Sequence, residues 1–166
     1  MPTMNETMPV TEDATLAYDN GVVRSNVEAF SKFVDLNVAV FSSNLEMYEA
    51  IERGIPVRTL DHVARLVAPK DSNWKFRLIT QATYHRRKNK RPSLLNSDEG
   101  AKVARLVKVA AIAMEIFKDE DKMRNFLERK HPLLHGHKPI DLIVANEAGA
   151  EAVHDVLMAG AYGGGA

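Results

Sequence analysis

Residues 74–88 read WKFRLITQATYHRRK, and this stretch decides the fold. Its apolar spacing predicts two short helices, about 71–78 and 81–88, separated by a break at Ile79 and Thr80. The second of these helices is strongly basic. Two short helices joined by a tight break, with the second one basic, are typical of a DNA-binding helix-turn-helix. The pattern therefore predicts an all-α fold built around a helix-turn-helix.

Helical periodicity extends on both sides of this stretch. Before it, the spacing predicts helices over 44–52 and about 57–68, the first with Leu45, Tyr48 and Ile51 stacked on one face. After it, the spacing predicts helices at 97–118, 120–129, 140–144 and 147–159. No strand is predicted between residue 44 and the end of the chain.

The predicted helix over 97–118 is the longest in the chain and carries two apolar stripes. Asn96 and Glu99 match a capping box at its start. A helix that is apolar on most of its circumference must be covered on both sides. It is therefore either the central strut of the fold or part of a subunit interface.

The two ends of the chain carry weaker patterns. Residues 1–43 are expected to form an N-terminal arm, partly flexible, in which 26–41 is a short helix or a helix followed by a strand. Residues 161–166 are expected to be a flexible tail. The last helix is expected to bury four apolar side chains, Ala152, Val153, Val156 and Leu157.

The length of 166 residues is enough for one domain or for two small ones that share a core. We expect a helix-turn-helix domain at 44–92 and a small helical domain at 93–166. The apolar fraction of 45% and the charged fraction of 27% are typical of a globular protein.

The composition excludes several classes of protein. There is no cysteine, which excludes disulfides and thiolate chemistry. No run approaches the roughly 18 apolar residues that span a bilayer. The first twenty residues lack the basic-then-apolar order of a secretory signal. We therefore expect a soluble, cytoplasmic protein without a membrane partner.

The formal net charge is zero, but the charges are unevenly distributed. Residues 1–52 contain nine acidic and two basic side chains, a net charge of −7. Residues 53–91 contain eleven basic and two acidic side chains, a net charge of +9. A neutral chain that concentrates positive charge in one block indicates an anionic partner for that block.

The basic block supplies the candidate DNA contacts. Cations at phosphates release counterions from DNA, and polar side chains on a recognition helix read base edges. For a charge run alone, a solvated surface is the simpler interpretation, and the helix-turn-helix outline favours DNA. The candidate contacts are Lys75, Arg77, Thr83, Tyr84, Arg86, Arg87, Lys88, Lys90 and Arg91.

Three histidines, His131, His135 and His137, are the only candidates for metal binding. Their spacing permits zinc ligation, and a small hydrolase or metal enzyme built on them is one hypothesis. However, no carboxylate stands at a familiar ligand offset and no H-E-x-x-H motif is present. Histidines in turns are more often capping or surface residues. We therefore predict no metal site, no catalytic residue and no cofactor.

Three stretches of the chain together resemble one protein family. Residues 83–88 read TYHRRK, and residues 94–117 run from LLNSD through VARL to AMEIF. Residues 126–163 carry FL, PLLHGHKPIDLI, GAEAV, a leucine and YG. These stretches resemble the T-x-x-R-R-K helix, the S-D-R-L-x-R-L…A…F stretch and the pattern W-L…P…L-G-G-x-x-P-L-D-L-L…G…V…L…Y-G. All three belong to the Xre-type antitoxins that pair with RES-domain toxins, and the resemblance begins at about Met47.

The chain departs from the family pattern at three points. Phe126 stands where tryptophan is usual, which is a conservative aromatic change. Glu99 and Gly100 stand where an Arg-Leu pair is usual, at the start of the long helix. His135 replaces a glycine, which affects the turn if positive φ is needed there.

The resemblance implies an antitoxin that dimerises, neutralises an NAD-consuming RES-domain toxin and represses its own operon through the helix-turn-helix. It also implies that the C-terminal domain binds the toxin and that the terminal segment reaches the toxin's NAD pocket. The implied toxin contacts are Leu134, Gly136, Pro139, Tyr162, Gly163, Gly164, Gly165 and Ala166. The alternative function is a stand-alone homodimeric transcriptional regulator without a toxin partner.

Overall fold

A computed structural model of the protein describes residues 44–163. The predictions for 1–43 lie outside the described residues. Within the described part the fold is all-helical, as predicted, apart from one isolated bridge between Pro56 and Leu94. The α-helices are α1 (Asn44–Arg53), α2 (Arg58–Val67), α3 (Gln81–Lys88), α4 (Ser97–Phe117), α5 (Glu120–Glu128), α6 (Pro139–Ala145) and α7 (Glu147–Tyr162), with 3₁₀-helices η1 (Trp74–Arg77) and η2 (Pro132–Leu134).

Helix α4 is the central strut of the fold, the first of the two predicted alternatives. The predicted capping box is present: Asn96 Oδ1 accepts from the Glu99 amide at 2.8 Å, and Glu99 Oε2 accepts from the Asn96 amide at 2.9 Å. Helices α1, α2, α5, α6 and α7 all contact α4. Although α4 has 21 residues, no helix among residues 44–163 is long and apolar enough to cross a membrane.

The first member of the predicted helix pair is the 3₁₀-helix η1, not an α-helix over 71–78. The Asp71 carboxylate accepts a hydrogen bond from the Asn73 amide at 2.9 Å. An aspartate that bonds the nearby backbone competes with an α-helix, so one tight turn remains. Trp74 and Leu78 are nevertheless buried, and η1 packs on α2.

The face of α1 that carries Leu45, Tyr48 and Ile51 is not the face that packs on the core. Leu45 is 65% exposed and Tyr48 is 60% exposed, whereas Met47 and Ile51 pack against the core. Met47 and Ile51 are four residues apart and therefore share one face of the helix. Gly100 of α4 lies beside Ile51, and a Cβ there would make only ordinary contacts, 3.8 Å from Ile51 and 3.6 Å from Ile55.

Helices α6 and α7 pack very closely at Gly149. A Cβ at this glycine would lie 2.2 Å from the backbone oxygen of Leu142. Asn146 caps α7 by accepting from the Gly149 amide at 2.9 Å. Helix α7 continues to Tyr162, so the start of the expected flexible tail is helical. Ala152, which was expected to be buried, is exposed.

The segment that joins α3 to α4 is tied to the rest of the fold. The Leu95 amide donates to the Ile55 carbonyl at 2.8 Å, and the Val57 amide donates to the Ser93 carbonyl at 3.1 Å. These bonds flank the bridge between residues 56 and 94. The start of α4 is therefore held against the segment that leads into α2.

Candidate functional site

Helix α3, the second helix of the pair, is fixed in orientation by three contacts. The Thr80 hydroxyl oxygen caps its start by accepting from the Thr83 amide at 3.2 Å. Tyr84 is buried in the core. Arg87 Nε lies 3.1 Å from Glu99 Oε2, which links α3 to the start of α4. These contacts define which face of α3 is left for a partner.

The outward face of α3 is the side opposite the buried Tyr84 ring. Residues advance by about 100° per position around an α-helix, so the buried Tyr84 fixes the opposite side as the exposed one. Three exposed residues lie away from Tyr84: Ala82, His85 and Arg86. Gln81 and Lys88 are exposed as well, but they lie three residues before and four residues after Tyr84, at the edge of the buried side. Among residues 44–163, Gln81 and Arg86 make no side-chain hydrogen bond or ion pair.

A charged cluster joins α2, η1 and α3 behind this face. Asp61 accepts from Lys75 Nζ at 2.5 Å and from the Tyr84 hydroxyl at 2.7 Å. The Lys75 ammonium also lies 4.4 Å from the centroid of the Tyr84 ring, a favourable cation–π distance. Asp61, Lys75 and Tyr84 therefore hold α3 against α2 and η1.

The charges in this cluster shift the ionisation of both partners. Burial raises the pKa of the Asp61 carboxyl, but hydrogen bonds from Lys75 and Tyr84, with the charges of Lys75 and Lys88, outweigh it. The pKa of Asp61 therefore lies below its usual 3.8. The hydrogen bond to Asp61 raises the pKa of Lys75 above its usual 10.5. At neutral pH the pair is fully ionised.

An open groove of about 550 Å³ lies between α2, α3 and the turn after α2. Asp61 is part of its lining, but the carboxylate is already engaged by Lys75. Three further cations line the groove and make no ion pair within residues 44–163: Arg58, Arg65 and Lys70. Because their charge is not compensated there, the groove favours an anion.

A second charged cluster links the helix-turn-helix to the C-terminal helices. Glu128 of α5 accepts from Trp74 Nε1 at 3.2 Å and from Arg77 Nη1 at 3.0 Å. Arg77 also donates to Asp141 at 2.5 Å, and Lys138 donates to Glu128 at 3.4 Å. Lys138 and Asp141 belong to the loop and helix that follow η2. The two halves of the chain therefore meet in a network of ion pairs.

The structure separates the predicted DNA contacts into two groups. Arg86, Lys88, Lys90 and Arg91 are exposed, although the Lys88 ammonium also donates to the Tyr84 hydroxyl at 3.5 Å. The other group has contacts inside the molecule: Lys75, Arg77, Thr83, Tyr84 and Arg87. The Tyr84 ring is buried in the core, and the other four side chains bond other side chains.

Sequence reasoning missed the exposed Gln81 at the start of α3, Ala82 and His85 on its outward face, and Arg58 and Arg65 in the groove. The spacing of Ala82 and Arg86, four residues apart on one side of the predicted helix, was a signal for the outward face. The polar stripe of α2, opposite its apolar face, was a signal for Arg58 and Arg65.

The loop around η2 places an apolar side chain on the surface. Leu133 is 68% exposed, whereas Leu134 and Pro139, two of the implied toxin contacts, are buried. Burial of those two side chains fixes the loop, so in this structure they are not available to a partner. His135 has φ +53 and Gly136 has φ +79, so positive φ occurs at the position where the family has glycine.

The histidines of this loop have structural positions. His131 Nδ1 accepts from the Leu133 amide at 3.3 Å and so caps η2, while His135 and His137 are exposed. Within residues 44–163, no group of three histidine or acidic side chains has the geometry to hold a metal ion.

The end of α7 presents the second exposed apolar residue of the C-terminal half. The Tyr162 side chain is 79% exposed. Gly163 follows as the helix C-cap and is also exposed. The implied contacts at residues 164–166 lie outside the described part of the chain.

The fold and these surfaces define a helix-turn-helix protein with a second helical domain after it. Residues 46–108 match the model of the antitoxin Xre-like helix-turn-helix domain. Residues 113–163 match the antitoxin Xre/MbcA/ParS C-terminal toxin-binding domain. The chain therefore belongs to the Xre-type antitoxins. No curated protein was found to match the sequence. The division at 43/44 and 92/93 remains a prediction.

Proposed function

We propose that this antitoxin neutralises a cognate NAD-consuming RES-domain toxin and represses its own operon as a toxin–antitoxin complex. The observation that carries the proposal is the presence, in one chain, of a helix-turn-helix with an exposed basic face and a toxin-binding domain. The chain itself acts without catalysis, as a cytoplasmic homodimer or a higher assembly with its toxin. The toxin-binding domain favours this over a stand-alone regulator.

The DNA contact is built from the outward face of α3 and the groove beside it. The face enters the major groove, as the second helix of this motif does. The three cations that line the protein groove between α2 and α3 then contact phosphates of the DNA backbone: Arg58, Arg65 and Lys70. Lys75 and Arg77 hold the helix pair in place instead of contacting DNA, because both are already ion-paired.

The toxin contact is built from Leu133 and Tyr162, with the terminal glycines continuing from α7. Both side chains are large, apolar and exposed, and both lie inside the region that matches the toxin-binding domain. Large exposed apolar side chains of this kind are typical anchors of a protein interface. The glycine-rich segment after Tyr162 is narrow enough to enter a cleft such as an NAD pocket.

The first experiment is capture of this chain, tagged at its N-terminus, from its native cytoplasm, followed by gel filtration and mass spectrometry. A stoichiometric RES-domain partner, without NAD-consuming activity while bound, supports the proposal. A lone homo-oligomer that binds its own promoter overturns the toxin part and supports a stand-alone regulator.

A substitution tests the toxin contact more locally. Leu133→Ala removes most of an apolar side chain. The lost burial corresponds to roughly 1–2 kcal/mol of binding free energy, so we expect about tenfold weaker toxin binding. Leu45→Ala is the matched control, since Leu45 is similarly exposed (65% against 68%) but lies in α1. Binding is measured by calorimetry. Equal affinities for the two variants would contradict the assignment of Leu133.

A further inference from the structure

The first turn of α3 presents a side chain whose chemistry matches one base pair. Gln81 is the first residue of α3 and is exposed. Its carboxamide makes no hydrogen bond within residues 44–163. A polar side chain with one acceptor and two donors, held on a rigid helix and left without partners, is available to a ligand that offers both hydrogen-bonding types.

We propose that Gln81 reads an adenine in the major groove of the operator and is the main specificity-determining residue of α3. This rests on the proposed DNA-binding function. In a helix-turn-helix, residues at the start of the second helix contact base edges. Adenine presents N7 as an acceptor and N6 as a donor there, and the glutamine carboxamide matches both atoms at once.

The neighbours of Gln81 favour a close approach to the bases. Ala82 is exposed beside it and has no long side chain to hold the helix away from the groove floor. Its methyl group can pack on a thymine methyl group of an adjacent pair. Arg86 lies one turn after Ala82 on the outward face and supplies a cation at the edge of the site.

The position of Gln81 is preorganised by contacts that do not involve its own side chain. The Thr80 cap fixes the start of the helix, and Thr80 Oγ1 also donates to Thr83 Oγ1 at 2.9 Å. One turn later, the Tyr84 hydroxyl is anchored on Asp61. A reading residue on a rigid element selects its base more sharply than one on a mobile loop.

Two other cations on or near this face have a different chemistry. Lys88 and Lys70 carry point charges, which neutralise phosphates without distinguishing sequence. Lys88 lies at the groove edge of the face, and Lys70 lines the groove itself. They therefore contribute affinity and salt dependence, whereas Gln81 contributes preference for a base.

The test is selection of bound duplexes from a random DNA library by the full chain with its co-purified partner, followed by sequencing. Gln81→Glu replaces the carboxamide with an acceptor only, which matches the N4 donor of cytosine. We expect the wild-type protein to enrich a motif with a fixed adenine and Gln81→Glu to replace that adenine by cytosine. Gln81→Ala loses the preference at the same position, by about 5- to 150-fold.

Lys70→Ala is the control, because a phosphate contact weakens binding to all sequences without changing the motif. Thermal unfolding should be unchanged in both Gln81 variants, since this side chain is exposed. An unchanged motif in Gln81→Glu and Gln81→Ala overturns the assignment of Gln81 alone. If the wild-type protein enriches no motif, the proposed DNA-binding function fails, and the assignment fails with it.

Discussion

Asp61→Asn removes the negative charge from the cluster of Asp61, Lys75 and Tyr84 while keeping nearly the same side-chain shape. The carboxylate bonds Lys75 and Tyr84, and the two ion-paired side chains are only 18% (Lys75) and 31% (Asp61) exposed. Hydrogen bonds to charged groups contribute about 1.5–3 kcal/mol each. Because asparagine can still accept one of the two bonds, we expect Asp61→Asn to cost about 2 kcal/mol at pH 7. For a chain of this size that lowers Tm by about 4–8 °C.

The effect of this substitution should depend on pH in one direction. The pKa of Asp61 is lowered in the folded state, so its charge stabilises the fold above the unfolded carboxyl pKa of about 3.9. That contribution is lost as pH falls through the folded value. The Tm difference between wild type and variant should therefore be constant from about pH 5 to 8 and narrow below about pH 4.

The assay is thermal unfolding followed by circular dichroism at several pH values. Asp71→Asn is the matched control, since Asp71 is exposed and lines the same groove. Asparagine there can still accept from the Asn73 amide, so the change should lie within about 0.5 kcal/mol. Equal Tm values for Asp61→Asn and wild type at pH 7 would refute the view that this carboxylate holds the helix pair together.

Two further predictions concern the C-terminal half. Gly149→Ala should cost about 1–3 kcal/mol in urea unfolding, because its Cβ meets the Leu142 carbonyl, whereas Gly160→Ala, with open space around it, should stabilise the same helix by about 0.5–1 kcal/mol. Glu128→Ala removes the acceptor of the Trp74 Nε1 hydrogen bond, so it should lower stability by about 1–2 kcal/mol and change the emission of Trp74, the single tryptophan. Unchanged fluorescence would contradict the contact with Glu128.

Local signals account for the elements that the sequence predicted well. The bounds of α3 and the start of α4 follow from Thr80 and from the Asn96–Glu99 capping box, and both caps involve residues only three apart. The two apolar stripes of α4 required cover on both sides, and the structure supplies that cover from the chain itself. Such features need no knowledge of the tertiary fold.

Several of the predicted DNA contacts have partners inside the molecule that the sequence did not indicate, because these partners are distant in sequence. Asp61 and Tyr84 are 23 residues apart, and Arg77 and Glu128 are 51 apart. A local charge pattern contains no information about these distances. The same reason applies to α1, where the inward residues Met47 and Ile51 are selected by the approach of α4.

The fold class and the toxin-binding pattern were nevertheless accessible from the sequence. Gly149 in that pattern now has a physical reason, since the backbone of α6 leaves no space for a Cβ. The sequence could not predict that Leu133 is exposed and Leu134 buried, because two adjacent leucines in a turn give no periodicity.

The most direct test of the central claim is growth and NAD content in cells that express the captured partner with and without this chain. The account predicts that the partner alone depletes NAD and arrests growth, and that co-expression of this chain restores both. A partner that leaves NAD and growth unchanged when expressed alone, or an arrest that this chain does not relieve, would contradict it.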